Sequence, residues 1–185
     1  LGEKRNVLQM KLTVAAKLAF TALVISAIFW LGSIYIRGFL ANELFSMETL
    51  TVRENLPVGV RGELFLLLAK SSVAILAWYA AVFVSGTLFL IASRLRFKEH
   101  GWLLMSAILF YIFLPVEVYT GLIDLRFINA VFNGASQEIC QALFVKHFTA
   151  LAGAPIVGLL SYFTIVILAI WQPLKKSNHY SMGSG

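Results

Sequence analysis

Apolar residues collect into four long runs, at 12–36, 64–92, 102–119 and 154–171, and most polar and charged residues lie between them. A bilayer core of about 30 Å is crossed by about 20 helical residues, with a range of about 17–25, because each residue rises 1.5 Å. All four runs are long enough. The first, second and fourth show neither a two-residue alternation nor a narrow apolar stripe. They are apolar all round, as a helix surrounded by lipid has to be. The third meets Pro115 and Glu117 in its last turns. Proline removes a helical hydrogen bond and kinks or ends a helix, so this span is expected to close there.

The segment 135–152 has a different pattern. Ile139, Cys140, Leu143, Phe144, His147, Phe148 and Leu151 recur at helical spacing, while Gln137, Glu138, Gln141 and Lys146 occupy much of the remaining surface. This pattern predicts an amphipathic helix resting on the outer face of a bundle. Gly153 and Pro155 would then turn the chain back into the membrane. The connection 38–63 suits a short structured hairpin or helix. The connection 120–153 is too apolar for a floppy loop and is a place for a partner or a lipid to bind. The expected fold is all-α: a polytopic membrane protein, a four-transmembrane-helix bundle with an additional amphipathic outer-face helix. Residues 1–173 would form one membrane domain and 174–185 a flexible cytoplasmic tail.

Composition agrees with this class. Hydrophobic residues make up 59% of the chain and charged residues 13%, against roughly half and a quarter in soluble domains. The first run follows Lys4, Arg5, Lys11 and Lys17, as in a secretory signal. It outlasts the roughly 7–15 apolar residues of such a signal, and is read as a retained span. The small residues Ala77, Ala81 and Ser85, spaced four apart, predict a face of close helix approach; Ala15 with Ala19, Ala22 with Ser26, and Ala154 with Gly158 offer shorter versions.

Charge sets the expected orientation. The segment before the first span, the connection holding Arg94, Arg96 and Lys98, and the tail with Lys175 and Lys176 are basic. The other two connections, with their flanking turns, hold Arg37, Arg53, Arg61, Lys70, Arg126 and Lys146 against Glu43, Glu48, Glu54, Glu63, Glu117, Asp124 and Glu138. The excess of Lys and Arg on one side places both termini in the cytoplasm, and an even number of spans likewise requires the termini to share a side. A bacterial inner membrane fits the compactness and short loops. The net charge of +6 and pI near 9.6 therefore reflect topology and attraction to anionic headgroups. No aromatic-interleaved basic stripe points to nucleic acid.

Few residues are candidates for chemistry. Lys70 lies about two turns inside the second span, where it either snorkels or lines a path for ions. Glu117 follows the kink at Pro115 and could bind a proton or a cation. His147 and Cys140 are seven residues apart, about 10 Å along a helix, too far for a catalytic pair within it. They also fall short of a zinc site. His100 and His147 are expected on opposite sides of the membrane and cannot share one haem iron. No phosphate-binding loop, H-E-x-x-H, G-x-S-x-G or C-x-x-C motif occurs. Asp124 is the sole aspartate, so a two-aspartate protease cannot form within one chain. No catalytic residue, metal site or cofactor is expected.

These features support an accessory or structural subunit of a larger inner-membrane complex, with membrane lipids and other membrane subunits as partners. Two alternatives remain. One is a small transporter or channel component using Lys70 and Glu117, which requires both to face an aqueous cavity. The other is a lipid-acting membrane enzyme using His147, Glu117 and Arg126, which requires those three groups to converge on a pocket.

Overall fold

The computed structural model describes residues 13–46, 48–93 and 97–174. Lys4, Arg5, Lys11, Arg94, Arg96, Lys175, Lys176 and all of the expected tail except Leu174 lie outside the described residues. The described chain runs through α1 (Val14–Leu44), β1 (Phe45–Ser46), β2 (Thr51–Val52), α2 (Val58–Ser93), α3 (Gly101–Ile112), α4 (Leu114–Phe132), α5 (Gln137–Thr149), a 3₁₀ turn (Ala150–Gly153) and α6 (Ala154–Trp171). The expected all-α bundle is present. Four helical segments are long and apolar enough to cross a membrane: α1, α2, α3 with α4, and α6.

The residues at the boundaries explain where these helices begin and end. Thr13 caps α1, its hydroxyl accepting from Ala16 N–H at 3.1 Å. The same hydroxyl donates to Ala92 O at 3.1 Å, tying the start of α1 to the end of α2. Gly101 packs under Leu174, so the beginning of α1, the end of α2, the start of α3 and the chain after α6 share one end of the bundle. At the opposite end Phe45 pairs with Val52 and Ser46 with Thr51 in an antiparallel hairpin. Arg53 holds it by donating to Phe45 O at 3.2 Å and Asn42 O at 2.9 Å. Arg61 donates to Leu56 O and Glu54 O, both at 2.8 Å, and closes the approach to α2. Arg53 thus satisfies carbonyls at the end of α1 and in β1, and Arg61 carbonyls of the connection before α2.

The third span departs from its expected length. The sequence closes it at Tyr119, but after a break at Phe113 the helix continues as α4 to Phe132. Pro115 occupies the first turn of α4, where its missing N–H costs no helical hydrogen bond. It therefore starts a helix rather than ending one. The 120–153 connection is thus mostly α4 and α5.

The predicted small-residue stripe on α2 is the packing face only at its end: Ser85 is buried beside Ser26 of α1, their hydroxyls 3.5 Å apart, and Ala81 is half-buried. Ala77 is exposed, while Leu68, Ser72, Ile75, Val82, Ser85, Phe89 and Ser93 are buried. On α1 the buried line is Ala16, Trp30, Arg37 and Leu44, with half-buried Leu23 on the same seven-residue repeat. Such a repeat keeps one seam of two long helices in contact. Elsewhere the bundle surface is apolar: Ile91 is 71% exposed and Trp171 79%, as lipid contact requires.

Side chains are buried in three layers. Near the termini Ala16, Phe89, Trp102 and Leu103 cluster. In the middle Trp30, Ile75, Val82 and Tyr162 do so. At the loop end Leu44, Phe45, Phe65, Leu68, Phe127, Cys140 and Phe144 form an aromatic cap. There Phe45 and Phe144 stack, with centroids 5.0 Å apart and planes 2° from parallel. The helix α5 contributes Cys140 and Phe144, four residues apart on its buried face. At its exposed start Glu138 accepts from Ser136, which holds that carboxyl below the usual range.

Burial pushes the Cys140 thiol above its ordinary value, which leaves little of the reactive thiolate. We expect Cys140 to resist a water-soluble maleimide in the native protein and to react promptly once the protein is unfolded in SDS. Mass measurement of the labelled chain distinguishes the two. Rapid native labelling would show the cap to be open.

Candidate functional site

A cavity of about 180 Å³ lies inside the loop half of the bundle. Five helices build its wall. The face of α4 carries Glu117, Thr120, Gly121 and Asp124, at relative positions 0, 3, 4 and 7, which share one side of a helix. From α1 come Trp30, Ile34, Arg37 and Gly38; from α2, Ile75, Leu76 and Tyr79; from α5, His147 and Phe148; and from α6, Pro155, Ile156, Leu159 and Tyr162. Gly38, Phe148 and Ile156 are exposed, so the cavity reaches the surface between α1 and the α5–α6 corner.

Its polar groups stand at two depths. Near the loop end Arg37 grips Asp124 with two parallel bonds, Nη1 to Oδ2 at 2.8 Å and Nη2 to Oδ1 at 2.7 Å. Arg37 is 5% exposed and Asp124 2%. Two-pronged pairing of this kind is the strongest arrangement available to arginine. The guanidinium also lies over the Phe144 ring, 5.1 Å from its centroid. His147 Nδ1 is 3.0 Å from Asp124 Oδ1, within ion-pair reach whenever the ring is protonated but not aligned for a hydrogen bond. Arg37 therefore bridges α1 to α4, and Asp124 reaches α5.

Seven residues earlier on α4, about 10 Å deeper, lies Glu117. It accepts from the Tyr162 hydroxyl at 3.2 Å. Among the described residues no basic group lies within ion-pair distance of it. Gly158 lets α6 approach Phe113: a Cβ there would lie 3.3 Å from that ring, but at an ordinary 3.8 Å from Glu117 Oε1. Around Glu117 stand Trp30, Tyr79 and Tyr162, with Trp30 ring centroids 5.4 Å from Tyr79 and 4.9 Å from Tyr162. Trp30 is 3% exposed. Its indole Nε1 and Arg37 Nε are buried and without a hydrogen-bond partner among the described residues.

Of the four residues singled out from sequence, Glu117 and His147 line this cavity. Lys70 and Arg126 are both exposed and do not line it. Arg126 is two residues past Asp124, hence about 200° around α4. Arg37, Asp124, Trp30, Tyr79 and Tyr162 were not predicted as site residues. The signal available for Asp124 was its seven-residue spacing from Glu117, hidden once the third span was closed at Tyr119. No cluster of three or more His, Cys, Asp or Glu suited to a metal occurs among the described residues.

Fold and site together define an all-α bundle with four helical segments long and apolar enough to span a membrane, and among them a mostly apolar cavity that holds a few charged side chains and opens to the surface. Compared with protein-family models, curated proteins and solved structures, the chain matches none.

Proposed function

We propose that the chain is a transport component that takes up a small cation, the proton included, in the cavity between its spans. The observation that carries this reading is Glu117: a carboxyl group deep in a membrane span, lining a cavity, with a tyrosine hydroxyl and, among the described residues, no basic side chain as its partner. An ionisable residue at such depth is costly to insert and is kept where it has work to do. The break between α3 and α4 supports the reading, since interrupted spans recur at the binding sites of transporters. His147 and Asp124 stand between Glu117 and the loop end, where a cation would enter. Lys70 has no part in the path. The terminal end of the bundle faces the cytoplasm of a bacterial inner membrane, as the basic flanks suggest.

The test is flux into proteoliposomes holding the purified chain and an internal pH dye, under an imposed inward-negative potential. Wild type should acidify the lumen faster than empty vesicles, and Glu117→Gln should reduce the rate to that of empty vesicles. Equal rates for the two proteins would overturn the proposal.

A role as accessory subunit is the second reading. It is favoured by the Arg37–Asp124 pair, a closed contact that suits a clamp between spans. Stoichiometric partners found by mass spectrometry after extraction in mild detergent would support it. A lone species or a homo-oligomer would remove it. The lipid-enzyme reading lacks its required convergence, because Arg126 stands away from Glu117 and His147.

A further inference from the structure

We propose that the cation held at Glu117 is a small organic ammonium, seated between the carboxylate and the rings of Trp30, Tyr79 and Tyr162. This rests on the cation-binding reading above and names its ligand class. Three observations lead to it.

The first is the charge of the cavity. Arg37 and Asp124 pair with each other. That leaves Glu117 as the acidic group of the cavity with no basic side chain in ion-pair reach among the described residues, and a cation is what an ionised carboxylate there would attract.

The second is the nature of the wall. The plane of Trp30 meets Tyr79 at 47° and Tyr162 at 77°. These rings pack against one another, and all three also line the same cavity as Glu117; an aromatic face turned to that space attracts an ammonium.

The third is what the wall lacks. Calcium takes about six to eight oxygen ligands and magnesium six. Near Glu117 the other side-chain oxygens of the wall are the Tyr162 hydroxyl, the Tyr79 hydroxyl and Thr120 Oγ1, the last already bonded to its own helix, too few to replace a divalent ion's water. A metal ion would give up its water for very little, whereas an ammonium with methyl groups is already weakly hydrated and suits an aromatic lining.

The probe is tetramethylammonium chloride, titrated into the purified protein in detergent against sodium chloride at equal ionic strength. Tryptophan fluorescence and melting temperature are the two readouts. Tetramethylammonium should change the fluorescence saturably and raise Tm, as a ligand of the native state must; sodium should do neither. Loss of one partner of a buried charge pair costs about 2 kcal/mol or more, so Glu117→Gln should weaken binding at least about thirtyfold. Lys70→Gln, on the exposed surface, should bind like wild type. Should Glu117→Gln fold poorly, Tyr162→Phe keeps the ring and the carboxylate and should still bind.

No saturable response in wild type, an equal response to sodium, or full binding by a folded Glu117→Gln would each overturn the proposal. If tetramethylammonium fails to bind while Glu117-dependent proton flux persists, the ligand class falls and the transport reading stands. If it binds while the same vesicles show neither proton flux nor uptake of tetramethylammonium, transport falls and the ligand class stands.

Discussion

Asp124→Ala is expected to cost about 3–5 kcal/mol, the usual penalty for removing one member of a buried ion pair. The loss of attraction is the smaller part of it. Arg37 is 5% exposed and cannot give up its proton, so without Asp124 it becomes an uncompensated charge within the bundle. Its Nε already has no partner, and both Nη groups would lose theirs. His147 Nδ1 would also lose its nearest carboxylate. Unfolding in mixed micelles with increasing SDS measures the change. The double variant Arg37→Met/Asp124→Leu removes both charges and should recover most of the stability, because replacing a buried pair by apolar residues of similar volume is often neutral or favourable. If Asp124→Ala alone loses less than about 1 kcal/mol, the pair is solvated and the cavity is wetter than its walls imply.

The contrast between single and double variant separates two roles for the pair. If stability were its whole purpose, the double variant would match wild type in every respect. In the transport reading it would fold but lose cation uptake, since Asp124 is the carboxylate beside His147 on the way to Glu117. Stability and flux measured on one preparation therefore distinguish a clamp from a working part.

The four spans were legible because membrane insertion depends on length and apolarity, and runs such as 12–36 and 154–171 carry both plainly. The amphipathic helix was legible for a similar reason: Cys140 and Phe144 alternate with polar neighbours at helical spacing. Which face of α1 or α2 turns inward was not. In a helix that is apolar all round, the inward face is chosen by shape rather than by polarity, and Ala77–Ala81–Ser85 is no less plausible a seam than Leu68–Ile75–Val82–Phe89. Arg37 was the exception, since a charge on the line of Ala16, Leu23, Trp30 and Leu44 has to find a partner. Its position at the end of an apolar run made it look like a flank residue of the next loop.

The candidate site was half legible. Glu117 and His147 stood out as polar residues in apolar surroundings. That both line one cavity depends on α4 continuing past Tyr119 and on α5 folding back over it. The first follows from Pro115 starting a helix, a role proline takes as readily as ending one; the second from the turn at Gly134, with its positive φ of 69°. Lys70 stood out for the same reason as Glu117 but is exposed. A long flexible stem can carry an ammonium to the membrane surface, whereas the short carboxyl of Asp124 stays where the backbone puts it.

Phe144→Ala is expected to cost about 3–5 kcal/mol, the range for emptying a buried aromatic site. Phe144 stacks on Phe45, lies 5.4 Å from Phe127 and 5.1 Å from Phe148, and carries the Arg37 guanidinium over its face. Alanine would leave a void that α1, α4 and the hairpin cannot close, since each is held by its own contacts. The effect should spread along α5 in both directions. Cys140, one turn before, would lose its cover and become open to maleimide in the native state. His147, three residues after, would lose the anchor that keeps it beside Asp124. Phe148→Ala is the control: Phe148 is exposed at the cavity mouth, so that change should alter stability by less than about 1 kcal/mol and leave Cys140 protected. If Phe144→Ala keeps Cys140 protected and unfolds at the wild-type midpoint, something other than this ring holds α5 to the bundle. If it unmasks Cys140 and also abolishes cation uptake, the cap that shields the thiol also closes the path to Glu117.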